Sequence, residues 1–227
     1  AIHLKRFHSY GLGESHVDSL LAGIEALVPD GSVKLGFRAH YPQLETKLAV
    51  RGTDMADVER KLAPVQAEVR KRIGNFILAE DDQTLEGVVL AALAEQHSTL
   101  ALVEGFTGGQ IAARIAHLPG AEKIFRRGIV ARDFGEIGIS LGLADPAIER
   151  AGEPGRLTRE VAEAVAAAVR KRAGATHGLA ALVDLDAGAD RIDLGGTICL
   201  AIATEQETAS RRARVHGGRE WVRLGAV

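Results

Sequence analysis

The hydrophobic rhythm of the chain changes about a third of the way along. Residues 2–9 alternate loosely between apolar and polar side chains and predict a strand, which Gly11 and Gly13 end. Ser15 is placed to cap a helix running to about residue 28, and Pro29-Asp30-Gly31 predicts a turn. Residues 33–38 and 44–51 alternate again, the pattern of two half-buried, paired strands. Asp54 is placed to cap the next helix, which Pro64 is expected to kink or split and which ends near Ile73-Gly74. With a short strand at 75–78, residues 1–79 read as a small α+β domain.

The acidic run Glu80-Asp81-Asp82 marks the boundary, and from Thr84 onward helical and extended patterns alternate. Helices are predicted at 84–96, 107–118, 133–142 and 158–173. Strands are predicted at 100–103, 128–132, 178–184, 197–203 and 209–215. Such alternation predicts a sheet covered by helices on both faces, a three-layer α/β/α domain over residues 80–227. Thr158 with Glu160 suits a cap and a first-turn acid.

The segment 99–131 carries the most chemistry. A buried strand runs into Glu104-Gly105-Phe106-Thr107-Gly108-Gly109, and a helix with apolar Ile111, Ala112, Ile115 and Leu118 follows. Strand, glycine-rich turn and helix N-terminus build an anion site, because unpaired N–H groups and the positive end of the helix dipole point at the turn. A phosphate is therefore expected at the helix start near Thr107, with Glu104, Gly105, Thr107, Gly108 and Gly109 as candidate ligand-binding residues. Phe106 is expected to project into the pocket, and Glu104 to repel an anion if it points inward. The turn holds no Ser, Cys or Lys that could serve as a nucleophile.

This segment resembles the C-terminal domain of the CinA family, the competence/damage-inducible proteins, a domain also found alone as nicotinamide mononucleotide deamidase. The family pattern is roughly A-E-S-C-T-G-G, a helix, then P-G-[small]-x-x-[aromatic]-x-x-G-[VI]-V-x-Y-[ST]-N-x-x-K. Residues 103–109 fall on its first part, and Pro119-Gly120, Phe125 and Gly128-Ile129-Val130 on its second. The stretch from Arg6 to Ser15 resembles the family's L-R-x-F-G-I-G-E-S, and that from Glu80 to Glu86 its G-x-D-D-x-T-L-E linker. Gly196-Thr197 and Gly218-Arg219-Glu220 match its late G-T strand and G-D-R-E turn. The resemblance covers nearly the whole chain. It implies a homodimer formed through the second domain and a small nucleotide-like ligand. Members of the family begin with a further nucleotide- or molybdopterin-binding-like domain and continue their last helix further. The resemblance therefore implies either a fragment or a shortened paralogue.

The resemblance also implies a Ser–Lys catalytic pair, in which the base activates an otherwise weak hydroxyl nucleophile. The two positions are Gly105 and Ile137 here. The preceding Tyr, Ser/Thr and Asn positions read Arg132, Asp133 and Phe134, and a third family segment, T-G-x-A-G-P, reads Leu182-Val183-Asp184-Leu185-Asp186-Ala187. Three catalytic segments have changed together, so the expected protein is non-catalytic or diverged, with no catalytic residues by the family route. Two readings stand beside it. One is an active amidohydrolase on nicotinamide mononucleotide or a related pyridine nucleotide, using Glu104, Asp133, Glu136 or Arg132, with a carboxylate as general base for water. The other is a structural or dimerisation module of a longer protein.

Composition narrows the rest. Hydrophobic content is 46% but aromatic content only 4%, so Ala, Val, Leu and Gly must build the core. A net charge of -2 gives no electrostatic case for nucleic acid or an anionic membrane as partner. Arg70-Lys71-Arg72 and Arg170-Lys171-Arg172 each sit near a predicted helix end and complement its dipole. Arg211, Arg212 and Arg214 fall on a late strand. The single Cys199 falls in a buried strand and implies neither disulfide nor zinc site. No apolar run reaches the roughly 18 residues a membrane span needs, and the N-terminus has no signal-peptide stretch, so a cytoplasmic protein is expected. The eight histidines include no i, i+4 pair. Asp184, Asp186, Asp190 and Asp193 flank a glycine-containing loop, but their spacing does not fit an EF-hand, and a solvated loop is favoured. Gly11-Leu12-Gly13 lacks the third glycine of a dinucleotide fingerprint. No metal and no cofactor are expected.

Overall fold

The computed structural model describes residues 1–188 and 191–227. The chain divides into two compact units, Ala1–Val88 and Val89–Val227.

The first unit is a four-stranded antiparallel sheet with helices on one face. Its strands are β1 (Ile2–Tyr10), β2 (Val33–His40), β3 (Gln43–Arg51) and β4 (Ile77–Glu80), in the order β2-β3-β1-β4. The alternation legible in the sequence sets the register: Phe7 lies opposite Thr46, and Leu48 opposite Leu35. These positions share the face that buries Val17, Ile24, Val58, Val65 and Val69 from the helices. The first helix, α1 (Glu14–Leu20), starts from Gly13 rather than from Ser15 and stops well short of the expected end. Gly23 adopts a left-handed φ of 77° there, and a short 3-10 turn, Ile24–Leu27, takes over. α2 (Met55–Ile73) is one continuous helix with Pro64 inside it, so the expected split does not occur. Its buried positions Val58, Leu62, Val65, Val69 and Ile73 recur every three or four residues, and that stripe holds the helix on the sheet across the missing hydrogen bond.

A charged lattice ties β4 to this unit. Arg70 of α2 donates two hydrogen bonds to Glu80, at 2.9 and 2.8 Å, and Lys5 of β1 lies 2.6 Å from the same carboxylate. Both cations also stand over the Phe7 ring, Lys5 at 5.4 Å and Arg70 at 5.6 Å from its centre.

The second unit is the expected three-layer domain. Its sheet runs β6-β5-β7-β8-β9, with β5 (Leu100–Glu104), β6 (Phe125–Val130) and β7 (His177–Leu185) parallel, and β8 (Gly195–Ala203) and β9 (Thr208–His216) added antiparallel. Every residue of β5 is buried, as a central strand covered on both faces must be. On one face, Val103, Ala180, Leu182 and Ala201 pack under α6 (Phe134–Leu141), α7 (Pro146–Arg150) and α8 (Arg159–Ala173). On the other, Leu100 and Leu102 pack against α3 (Leu85–Glu95), α4 (Gln110–Ala116) and α5 (Ala121–Ile124). Further along that face, Val183 and Ile198 meet Val222 of α9 (Arg219–Gly225). The cap read from the sequence at Thr158 holds, accepting from Val161 N–H at 3.4 Å, and Asp133 caps α6, accepting from Glu136 N–H at 2.9 Å. Gly178 lets α8 lie directly on β7, since a Cβ there would stand 2.0 Å from the Ala166 carbonyl oxygen. No described helix is long and apolar enough to cross a membrane.

Candidate functional site

Three stretches far apart in sequence meet at one edge of the second sheet. Glu104 at the end of β5 lies opposite Val130 of β6 and Ala181 of β7, so the residues that follow these parallel strands emerge together. They line a cavity of about 250 Å3 whose walls include Gly105, Phe106, Arg132, Asp133, Glu149 and Asp184. A crevice beyond the carboxyl ends of parallel strands is where open α/β sheets take ligands.

The glycine-rich turn is built differently from the sequence expectation. Glu104 is fully buried and folds back over the turn that follows it. Its carboxylate accepts a hydrogen bond from the Thr107 hydroxyl, one from Ile111 N–H at 3.0 Å and one from Ala112 N–H at 2.8 Å. The helix begins at Gln110 rather than near Thr107, with Gly109 as its N-cap at φ 85°. The N–H groups of Ile111 and Ala112, on the first turn of the helix, are therefore not free for a ligand. The protein's own carboxylate occupies the first-turn N–H groups, and the positive end of the helix dipole is matched internally.

The two positions aligned with the family's catalytic pair differ in surroundings. Gly105 lines the cavity, close to Leu182 of β7. A Cβ on Gly105 would stand 3.3 Å from Leu182 Cδ2 and 3.4 Å from Leu182 Cα, so a side chain there needs the end of Leu182 to give by a few tenths of an ångström. Ile137 is fully buried among Phe134, Leu141 and Ile148 in the core beneath α8, and is not among the residues that line the cavity.

The polar groups left in the cavity are mostly committed. The Arg132 guanidinium stands 4.5 Å from the centre of the Phe106 ring, a contact worth roughly 0.5–1 kcal/mol at an exposed site. Phe106 in turn packs against the Val183, Ile198 and Val222 cluster. Asp133 is engaged as the cap of α6. Asp184 accepts a hydrogen bond from Gly155 N–H at 2.7 Å. Burial pushes the Asp184 carboxyl above its ordinary range and the Asp186 charge adds to this, while the Gly155 hydrogen bond opposes it. Neither Leu182 against Gly105 nor Arg132 over Phe106 has any spacing signal in the sequence.

Among the described residues, the aspartates of the 184–193 stretch are taken up by arginines and a backbone N–H. Asp186 pairs with Arg214 at 2.6 Å, and Asp193 with Arg191 at 2.7 Å. Asp190 lies outside the described residues. Among the described residues no group of three or more His, Cys, Asp or Glu side chains is placed to hold a metal. Cys199 is buried, and burial raises its thiol pKa.

Residues 82–227 match the family model described as the CinA C-terminal domain, and residues 5–79 that of the damage-inducible protein CinA KH domain. The chain belongs to the CinA family. A CinA-like protein of Frankia casuarinae is 34% identical over 96% of this chain, and one of Geotalea uraniireducens 32% over 97%. The chain spans about half the length of these relatives, 50% and 51% respectively. Among solved structures, a CinA superfamily protein from Escherichia coli superposes with a TM-score of 0.54 at 20% identity, over 63% of this chain and 84% of that one. A competence or damage-inducible protein from Enterobacter asburiae gives 0.53 at 20% identity, over 64% and 92%. At these identities the likeness is one of fold.

Proposed function

We propose that the second unit is a ligand-binding, non-hydrolytic form of the CinA deamidase-like domain, and that its cavity takes a small nucleotide-like molecule without cleaving it. One observation carries the reading: among the described residues the cavity has no serine, cysteine, threonine or lysine in its lining. A Ser–Lys mechanism needs both groups within hydrogen-bond reach of each other and of the scissile bond. Here the aligned positions hold a glycine, which has no side chain to offer, and an isoleucine in the core. Glu104, the most buried carboxylate available to an alternative mechanism, is committed to three hydrogen bonds within its own turn.

The test pairs binding with turnover. The whole chain is titrated with nicotinamide mononucleotide by calorimetry, and ammonia release is followed in parallel. Saturable heat with no ammonia is expected. Release at roughly 1 per second, an ordinary enzymatic rate, would overturn the non-hydrolytic reading, and no binding would overturn the choice of ligand. Gly105→Ser with Ile137→Lys is expected to restore nothing. The introduced hydroxymethyl group would press on Leu182, and the introduced ammonium would start from an apolar core.

A further inference from the structure

The second unit holds another groove, away from the cavity above. It lies where α6 and α8 end side by side and measures about 580 Å3. Leu141, Leu143, Ala164, Ala167 and Ala168 form its floor, and Arg170, Lys171 and Arg172 its rim.

The same basic tripeptide occurs twice in the chain and is treated in two ways. Arg70-Lys71-Arg72 ends α2, and each member is engaged: Arg70 with Glu80, Lys71 and Arg72 with Glu68, and Arg72 also with the carbonyls of Leu20 and Ala22. Arg170-Lys171-Arg172 ends α8, and among the described residues none of the three has an acidic partner. No acid lines the groove, and the Nε–H of Arg170 is buried without a hydrogen-bond partner.

Helix dipoles do not account for so much charge. α6 and α8 both terminate here, at left-handed Gly142 and Gly174. Each C-terminus presents about half a negative charge, about one in total against three formal positive charges. About two positive charges remain unmatched beside an apolar floor.

We propose that this groove binds a small amphipathic carboxylate, its apolar body on Leu141, Leu143 and Ala167 and its head group against Arg170, Lys171 and Arg172. A guanidinium fork meets a carboxylate through two parallel hydrogen bonds. Size favours a small ligand over a protein. The groove follows α8 from Ala164 to Arg172, about 12 Å, too short for the roughly 800 Å2 per partner of a standard protein interface. The volume lies within the roughly 300–1,000 Å3 of small-molecule sites.

The probe is octanoate, titrated into the whole chain and followed by NMR, with octyltrimethylammonium as the cationic counterpart. Octanoate is expected to shift residues of α6 and α8, to weaken as salt is raised, and to bind at least about tenfold more tightly than the cation. Lys171→Gln with Arg172→Gln is expected to weaken it about tenfold, and Ala167→Trp, which fills the floor from an exposed position, to abolish it. Lys71→Gln should change nothing. These side chains are exposed, so unchanged melting curves are expected to accompany the losses. The proposal is overturned if octanoate does not bind at millimolar concentration, if the cation binds equally well, or if either groove variant binds octanoate like the parent.

Discussion

Removing Glu104 tests whether the glycine-rich turn is held from inside. In Glu104→Ala the hydroxyl of Thr107 and the N–H groups of Ile111 and Ala112 lose their common acceptor. The residue is fully buried, so water does not replace the carboxylate without rearrangement. Hydrogen bonds to a charged acceptor contribute about 1.5–3 kcal/mol each and are not additive when they share it. A total loss of about 3–5 kcal/mol is expected. Glu104→Gln keeps the shape and one acceptor oxygen but turns an NH2 toward one of the donors, and is expected to cost about 1–2 kcal/mol. For a unit the size of Val89–Val227, roughly 0.3 kcal/mol corresponds to one kelvin in Tm. Alanine should therefore lower the second unit's transition by roughly 10–15 K and glutamine by roughly 5 K. Differential scanning calorimetry resolves both shifts. If alanine moved the transition by less than about 2 K, or cost no more than glutamine, the carboxylate would not be what holds the turn.

Glu80→Gln probes the first unit. The hydrogen bond from Arg70, reinforced by Lys5, holds Glu80 at about 2 against an ordinary 4.5. A folded pKa below the unfolded one stabilises above pH 4.5, and that contribution is lost as pH falls from there toward about 2. With Arg70 partly exposed, the substitution should cost about 1–2 kcal/mol at pH 7 and progressively less across that window, as read by urea unfolding at several pH values. A cost that stayed constant down to about pH 2.5 would exclude the ionic origin. Thr46→Val should stabilise the same unit by about 1 kcal/mol, because the Thr46 hydroxyl is buried between Phe7 and Phe37 without a partner. Destabilisation in the same urea assay would show that the hydroxyl does have one.

Much of this is legible in the chain because it depends on short-range signals. Asp54 and Thr158 cap helices where the sequence puts them, since a cap lies within three residues of the N–H it accepts from. The alternation of β1 and β3 and the uniformly apolar β5 are likewise local. The turn at Glu104 escapes a local reading because its deciding contacts reach seven and eight residues ahead, onto the backbone of a helix whose start the glycines delay. The fate of position 105 depends on Leu182, a strand neighbour that no local pattern reveals. Ser15 has the residue type of a cap, but the helix starts from Gly13 in an extended conformation, and left-handed Gly23 ends the helical run earlier than apolar spacing implies. The helices α5 and α7, of four and five residues, are too short to show a period.

The mixed character of the second sheet has a consequence for how it assembles. β7, β8 and β9 are neighbours in sequence, and their antiparallel pairings close only the connections from Leu185 to Gly195 and from Ala203 to Thr208. Pairing β5 with β7 must instead close the chain from Glu104 to His177, which costs about 2 kcal/mol more in loop entropy than the β7–β8 connection. The meander is thus the inexpensive half to order, and the cavity edge, made where β5 and β6 meet β7, is expected to form last. Ile198→Val in β8 is expected to slow refolding, and Val103→Ala in β5 to speed unfolding with refolding nearly unchanged. Stopped-flow kinetics showing the reverse would place the nucleus on the parallel side. In this order of events, the cavity comes into being only on a chain whose C-terminal strands are already in place.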